Sequence, residues 1–313
     1  MKNRMICVFL LIWSLTATAY GQCHVIQQGN FAPHQRVKLV SRPGAPAHKV
    51  IFFSTSLRVN TDGAPNSYHP QDLSGSVKAI NSICNAVTVR RNGQELNKCS
   101  SQIIPVLSEF VANNFRAPAG TTITWDNVIA ATKDATGRKI PCVFKSGEFA
   151  GYFGSLTSLK NGLTGPAAGE CEHLNQLDQR FIPAFVLPRG DNIVSSLGAG
   201  KGDLLVAFNP ANNVVSVAVV GDLGPPDTLG EGSVGLNMIL LGKTEQPTTY
   251  PLAKKLDTGN KAMLIGIIPN SRTFNPRRPF TKENLTDRVD QWLAQAGFTN
   301  QQKFVDFLKT CSN

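Results

Sequence analysis

Histidine is scarce in this 313-residue chain. The five, His24, His34, His48, His69 and His173, include no pair at the i,i+4 spacing of a helical metal site. No Cys-x-x-Cys occurs, which removes zinc-ribbon and thioredoxin-type motifs. Basic residues form no block with interleaved aromatics, so nucleic acid is not an expected partner. Past residue 15 no apolar run approaches the roughly 20 residues of a membrane span. No internal repeat is visible. Two near-motifs also fail. "SLGAGKGD" (196–203) puts Gly202 where a phosphate loop needs Ser or Thr. "EGSVG" (231–235) starts with Glu where a nucleophile elbow needs Gly, and no histidine follows it. Neither a metal nor a cofactor is expected.

What is present points outward from the cell. Lys2 and Arg4 precede an apolar stretch at 5–15, and small residues follow at Ala19 and Gly21. This is the layout of a secretory signal peptide over residues 1–21, so a secreted protein, extracellular or periplasmic, is expected. Cys23, Cys84, Cys99, Cys142, Cys171 and Cys311 lie beyond it. An even number in an exported chain reads as up to three disulfides, with 15 possible pairings. Cys171-Glu172-His173 is a weaker metal candidate for the same reason. The net charge is +10, and +8 without Lys2 and Arg4. Such a balance suits anionic envelope surfaces or simply a soluble basic protein.

With 27 Gly and 19 Pro, the chain is rich in turns, which favours β architecture. Strands are expected at 48–59, 140–144, 182–188 and 261–269. A hairpin is expected at 202–222, turning at 209–213. Leu285, Val289 and Leu293 recur at i, i+4, i+8, and Thr299 opens a capping box, so the end of the chain reads as two helices. The expected class is mainly β (α+β): a barrel-like β core, with the double-psi barrel as nearest analogue, plus peripheral and C-terminal helices. The segments are an entry stretch at 22–45, a catalytic domain at 46–270 and a helical extension at 271–313. A monomer is expected.

One segment carries chemistry. In "VAVVGDLGPPDTLGEGSVGLNMILLG" (217–242), Asp222 ends a strand and Glu231 opens the next element, both beside glycines. Turn punctuation explains Asp222 adequately. The dipole of a helix starting at 232 explains Glu231. The alternative is a working pair, since glycoside hydrolysis needs two carboxyl groups, one to protonate the leaving oxygen and one to activate water or attack the sugar.

Gly221-Asp222, Gly224-Pro225, Gly230-Glu231 and Ser233 resemble the active-site segment of the chitosanases of glycoside hydrolase family 75. "IPAFVLP" (182–188), "GDLLVAFN" (202–209) and the Asp-Gly loop "NTDGAPNSYHP" (60–70) are similar to further family segments. The resemblance spans roughly 48–242 and is thin over 85–140. It implies an endo-glycosidase that cuts β-1,4 links of chitosan with inversion. The essential carboxyls fall on Asp222 and Glu231, about 6.5–9.5 Å apart with room for a water. Asp62, Tyr68 and His69 are the candidate sugar contacts. A helix N-terminus beside Glu231 leans it toward base and Asp222 toward acid. Two residues depart from the pattern, Leu223 for Thr and Gly232 for Ala. The positive charge also sits awkwardly with a polycationic substrate, for which Asp62, Asp72, Asp178, Asp222, Asp227 and Glu231 are the acids available to line a cleft. The rival readings are a peptidoglycan-cleaving enzyme and a non-catalytic glycan-binding protein on the same scaffold.

Overall fold

The computed structural model describes residues 22–162 and 170–312; the signal segment expected at 1–21 lies outside them. Fourteen strands are present: β1 (His24–Ala32), β2 (Gln35–Arg42), β3 (Ala45–Thr55), β4 (Arg58–Asn60), β5 (Thr88–Arg91), β6 (Gln94–Glu95), β7 (Thr121–Thr124), β8 (Ala131–Lys133), β9 (Lys139–Pro141), β10 (Ala184–Pro188), β11 (Leu204–Asn209), β12 (Val214–Gly224), β13 (Glu231–Ser233) and β14 (Met263–Ile267). Six α-helices join them: α1 (Ile103–Ala112), α2 (Ile193–Ser196), α3 (Val234–Leu241), α4 (Tyr250–Lys254), α5 (Lys282–Gln295) and α6 (Gln301–Thr310). The chain is mainly β, as its turn residues predict.

Nine strands form one mixed sheet in the order β1-β2-β3-β14-β11-β12-β10-β13-β4. Its centre is buried on both faces, which explains the near-continuous apolar runs. In β11, Leu204, Val206 and Phe208 enter one core while Leu205 and Ala207 enter the other. The first core is closed by α5 and α6 through Leu285, Val289, Trp292, Leu293, Phe304 and Leu308. The second takes Leu236 and Leu240 of α3. Each such side chain contributes about 1.5–3 kcal/mol of burial, so the C-terminal helices are part of the main core. A smaller cluster around α1 and the β6-β5-β7 sheet forms a satellite layer.

The pairing order is linear, with β1 and β4 at its ends, so the sheet does not close. It is nevertheless strongly curled. Phe53 of β3 and Phe185 of β10 have three strands between them in the order, yet their rings are 5.9 Å apart. Only Ser56 and Leu57 separate the end of β3 from β4 at the opposite edge.

Two boundaries differ from expectation. The stretch at 22–45 is not an approach to the sheet; it supplies β1, β2 and the start of β3. Its Pro33 and Pro43 sit in the tight turns between strands, where a missing N–H costs no ladder bond. The last helix is capped by Asn300, whose side chain accepts from Lys303 N at 2.9 Å, rather than by Thr299.

The cysteines pair as Cys23–Cys311, Cys84–Cys99 and Cys142–Cys171. The first ties the start of β1 to the end of α6 across 288 positions. A cross-link closing so long a loop restricts the unfolded chain. The Cys23→Ser/Cys311→Ser variant is therefore expected to be about 2–5 kcal/mol less stable in urea unfolding.

Candidate active site

β10 lies between β12, which runs parallel to it, and β13, which runs antiparallel. Val186 of β10 is in register with Asp222 on one side and with Glu231 on the other. Neighbouring strands are about 4.8 Å apart, so the two acidic residues start about 10 Å apart at their backbones. Both line the same cavity of about 910 Å³.

A β-bulge aims Asp222. Val220 pairs with Phe185 and Asp222 with Val186, which leaves Gly221 as the extra residue. Were Gly221 paired in regular alternation, Asp222 would share the face of Val220, which is core. A Cβ on Gly221 would stand 2.8 Å from Ala184 Cβ and 2.9 Å from Leu177 Cδ1. Gly230 holds φ +143°, and a Cβ there would meet Ser56 O at 2.4 Å, so only glycine leads the chain into β13 here. Gly224 leaves room for the second acid: its added Cβ would sit 3.2 Å from Glu231 Oε2 and 2.9 Å from Val186 Cγ1. The glycines read as motif letters are thus spacing devices for the two carboxyls.

Asp222 is buried, and its Oδ1 accepts three bonds: from Ser158 Oγ at 2.5 Å, Ser158 N at 3.0 Å and Leu223 N at 2.8 Å. Burial pushes its pKa up, while the Ser158 hydroxyl, the two backbone amides and the Lys160 charge oppose that rise. The hydroxyl that meets Asp222 thus comes from another loop, from Ser158, while its neighbour Leu223 offers only a backbone N–H. Glu231 is also pushed up by burial, against the Asn60 amide and the Arg58 charge, with Asp222 adding to the rise. Gly232 has its own cause: a Cβ there would strike Asn237 Oδ1 at 2.3 Å.

Glu231 belongs to β13, and α3 starts three positions later at Val234. Ser233 caps that helix, with its Oγ accepting from Leu236 N at 3.0 Å. The helix-dipole argument for Glu231 as base therefore loses its footing, because the carboxylate does not lie in the first turn.

Asp62 joins the pair at the cavity wall. Its Oδ1 accepts from the Tyr68 hydroxyl at 2.6 Å, and Asn81 Nδ2 donates to that hydroxyl at 2.9 Å. Burial and the charges of Asp222 and Glu231 raise Asp62 to about 7, against the bonds from Tyr68 and Asn60. Tyr68 is itself buried, so it presents its hydroxyl and not its ring face. His69 is not among the lining residues. It anchors the loop: Nδ1 accepts from Gln71 N at 3.0 Å, and the ring packs edge-on against Tyr152 at 4.7 Å.

The other acids named from sequence have structural partners. Asp72 accepts from the backbone N–H groups of residues 76–79. Burial works against its charge, but those bonds win and hold it at about 2. Asp178 pairs with Arg180 at 2.7 Å. Asp227 lies in the wall of a different, shallower depression. The wall also holds residues that pattern reading passed over: Asn60, Ser158, Lys160, Arg189 and Tyr250. They come from four separate segments: the end of β4, the loop that carries both Ser158 and Lys160, the end of β10 and the start of α4. Only the Asp-Gly loop at 60–63 carried a visible signal.

No protein-family model matches the chain, and no curated protein matches it. Among the described residues, no group of three or more His, Cys, Asp or Glu side chains could hold a metal ion. No described helix is long and apolar enough to cross a membrane.

The raised value of Asp62 has a stability consequence. Between its ordinary 3.8 and about 7, the folded chain holds a proton that the unfolded chain releases. Stability from this group is complete below pH 4 and is lost as pH rises toward 7. Asp62→Asn keeps an oxygen for the Tyr68 bond and should flatten part of that decline. Melting temperature measured from pH 4 to 7 is the check; an unchanged slope would assign the decline to other groups.

Proposed function

We propose that the chain is a glycoside hydrolase that cuts a β-1,4-linked amino-sugar polymer by inversion, using Asp222 and Glu231. The observation that carries this reading is their shared register with Val186 on opposite sides of β10, both facing one open cavity. Backbones about 10 Å apart let the carboxyl groups reach the separation of about 6.5–9.5 Å that accommodates an attacking water. One carboxylic acid protonates the glycosidic oxygen as the C1–O bond breaks. The other carboxylate takes a proton from water, whose oxygen bonds to C1 from the opposite face.

The electrostatics support this division. Burial raises all three of Asp62, Asp222 and Glu231; the charges of Asp222 and Glu231 add to the rise of Asp62, and that of Asp222 to the rise of Glu231. A general acid needs such a raised value. Asp222 is held through Oδ1 alone, which leaves Oδ2 for water or substrate. Chitosan is the polymer that the resemblance to family 75 chitosanases implies. The curl that brings β4 round to the end of β3 supports the double-psi analogy as part of the same reading. The disulfides are in keeping with export, which gives access to an extracellular polymer.

Asp222→Asn and Glu231→Gln are each expected to lower reducing-end release at least 1,000-fold without altering thermal unfolding by more than a few degrees. Proton NMR of the first product formed should show the inverted anomer. Wild-type rates in both variants would end the paired-carboxylate reading, and a retained anomer would end the inverting one. Ser158→Ala removes a short charge-assisted bond to Asp222. It should lower kcat about tenfold and move the pH–rate limb belonging to Asp222 to higher pH, because a donor to the ionised form is lost.

A further inference from the structure

The charge around the cavity is not what a polycation needs. Arg58, Lys98, Lys160, Arg189, Lys201 and Lys254 all line it, and the two exposed acids in the same wall, Asp126 and Glu170, lie against Lys139 and Lys160. Two of them have carboxylate partners: Lys160 lies 3.7 Å from Glu170, and Lys254 pairs with Asp257. Arg58 is the register neighbour of Glu231, and its charge favours the ionised form of that carboxyl. For Lys98, Arg189 and Lys201, no carboxylate lies within ion-pair distance among the described residues. All three are exposed.

Their placement is built. Arg189 follows β10 directly, and its guanidinium donates to Gly224 O at 2.9 Å and Leu223 O at 3.3 Å. It is therefore fixed beside Asp222 with donors left over, and a guanidinium's planar fork matches a carboxylate. Lys98 precedes Cys99, and the Cys84–Cys99 bond ties its loop to the wall that carries Asn81 and Asn85. Lys201 is close enough to Lys160 for the two charges to repel. Like charges side by side carry a cost in the free protein, which Glu170, 3.7 Å from Lys160, offsets in part. A bound anion relieves that cost.

The acids sit differently. Asp222 is buried and Glu231 half-buried, and their charges act on Asp62 beside them. A glycan with ammonium groups would meet the exposed cations before it reached them. We infer that the preferred polymer of this cavity bears carboxylates: an acidic amino-sugar glycan, in which Arg189, Lys201 and Lys98 hold the acid groups while Asp222 and Glu231 flank the sugar link. This rests on the glycosidase reading and alters its substrate from a polycation to a polyanion.

The test separates binding from cutting. Glu231→Gln protein, which binds without turnover, is pelleted with three insoluble polymers at low salt. These are purified peptidoglycan sacculi, the same sacculi with carboxyls amidated, and partly acetylated chitosan. Native sacculi should bind at least tenfold more tightly than either of the others. Adding Arg189→Gln and Lys201→Gln should weaken binding to native sacculi about tenfold and leave binding to amidated sacculi unchanged. The pair Lys243→Gln and Lys282→Gln removes the same charge from elsewhere on the surface and should have little effect.

Soluble hyaluronan as competitor tells ring carboxylates from those on peptide stems: displacement assigns the former, and none assigns the latter. Chitosan bound as tightly as native sacculi, no loss on amidation, or equal losses in the two double variants would each overturn the inference. Reducing-end release by the wild type is scored apart. Charge-selective binding with no cutting of any polymer would end the glycosidase reading and leave the cavity's charge preference standing. Cutting of chitosan in preference to sacculi would do the reverse.

Discussion

The site depends on one strand having two unlike neighbours. β10 is short and buried along its whole length, and it accepts a parallel partner on one edge and an antiparallel partner on the other. A parallel pair needs a long crossover between its strands. Here the crossover from β10 to β12 contains α2 and β11, and it places β12 with its C-terminal end at the cavity. The antiparallel partner β13 begins at the same rank, so its first residue stands across Val186 from Asp222. The eight residues between the two acids carry the Pro-Pro loop from one edge of β10 to the other, a distance of about two strand spacings.

The bulge at Gly221 and the glycines at 224 and 230 are consequences of that arrangement. Period-two alternation would bury Asp222 in the same core as Val220. Placing a carboxyl there without partners would cost several kcal/mol. One inserted residue turns it instead toward Ser158, where two N–H groups and a hydroxyl meet a single oxygen. The local rule is broken at the site, and the surrounding structure supplies the compensation.

This explains which parts were legible in sequence. The strands at 204–209 and 214–224 and the helix at 282–295 follow from periodicity, because burial on known faces writes itself into residue choice. The acids Asp222 and Glu231 were visible because glycines crowd around them. The strands at 24–42 were not legible: prolines in their turns resembled a loose entry segment, and β1 is an exposed edge strand with no apolar face. Nor was Ser158, since it reaches Asp222 from 64 positions away, and no local pattern encodes such a contact. His69 and Tyr68 came from a loop whose polarity suggested sugar binding. Much of that polarity serves the loop's own backbone, as Asp72 and Gln71 show.

The same distinction bears on charge. The +10 balance of the chain says nothing about location, and the acids named from sequence were chosen as if they would gather in one cleft. Only Asp62, Asp222 and Glu231 do so; Asp72 and Asp178 hold backbone and arginine partners, and Asp227 lies in a separate depression. The exposed cations gather there instead, because the loops that reach the cavity rim end in lysine or arginine at Lys98, Arg189 and Lys201. Such a rim raises the local concentration of anions and repels cations before contact, an effect that weakens as salt shortens the Debye length to about 8 Å. On the proposed glycosidase reading, the polymer's charge would thus be selected outside the carboxyl pair, by groups that take no part in breaking the sugar link.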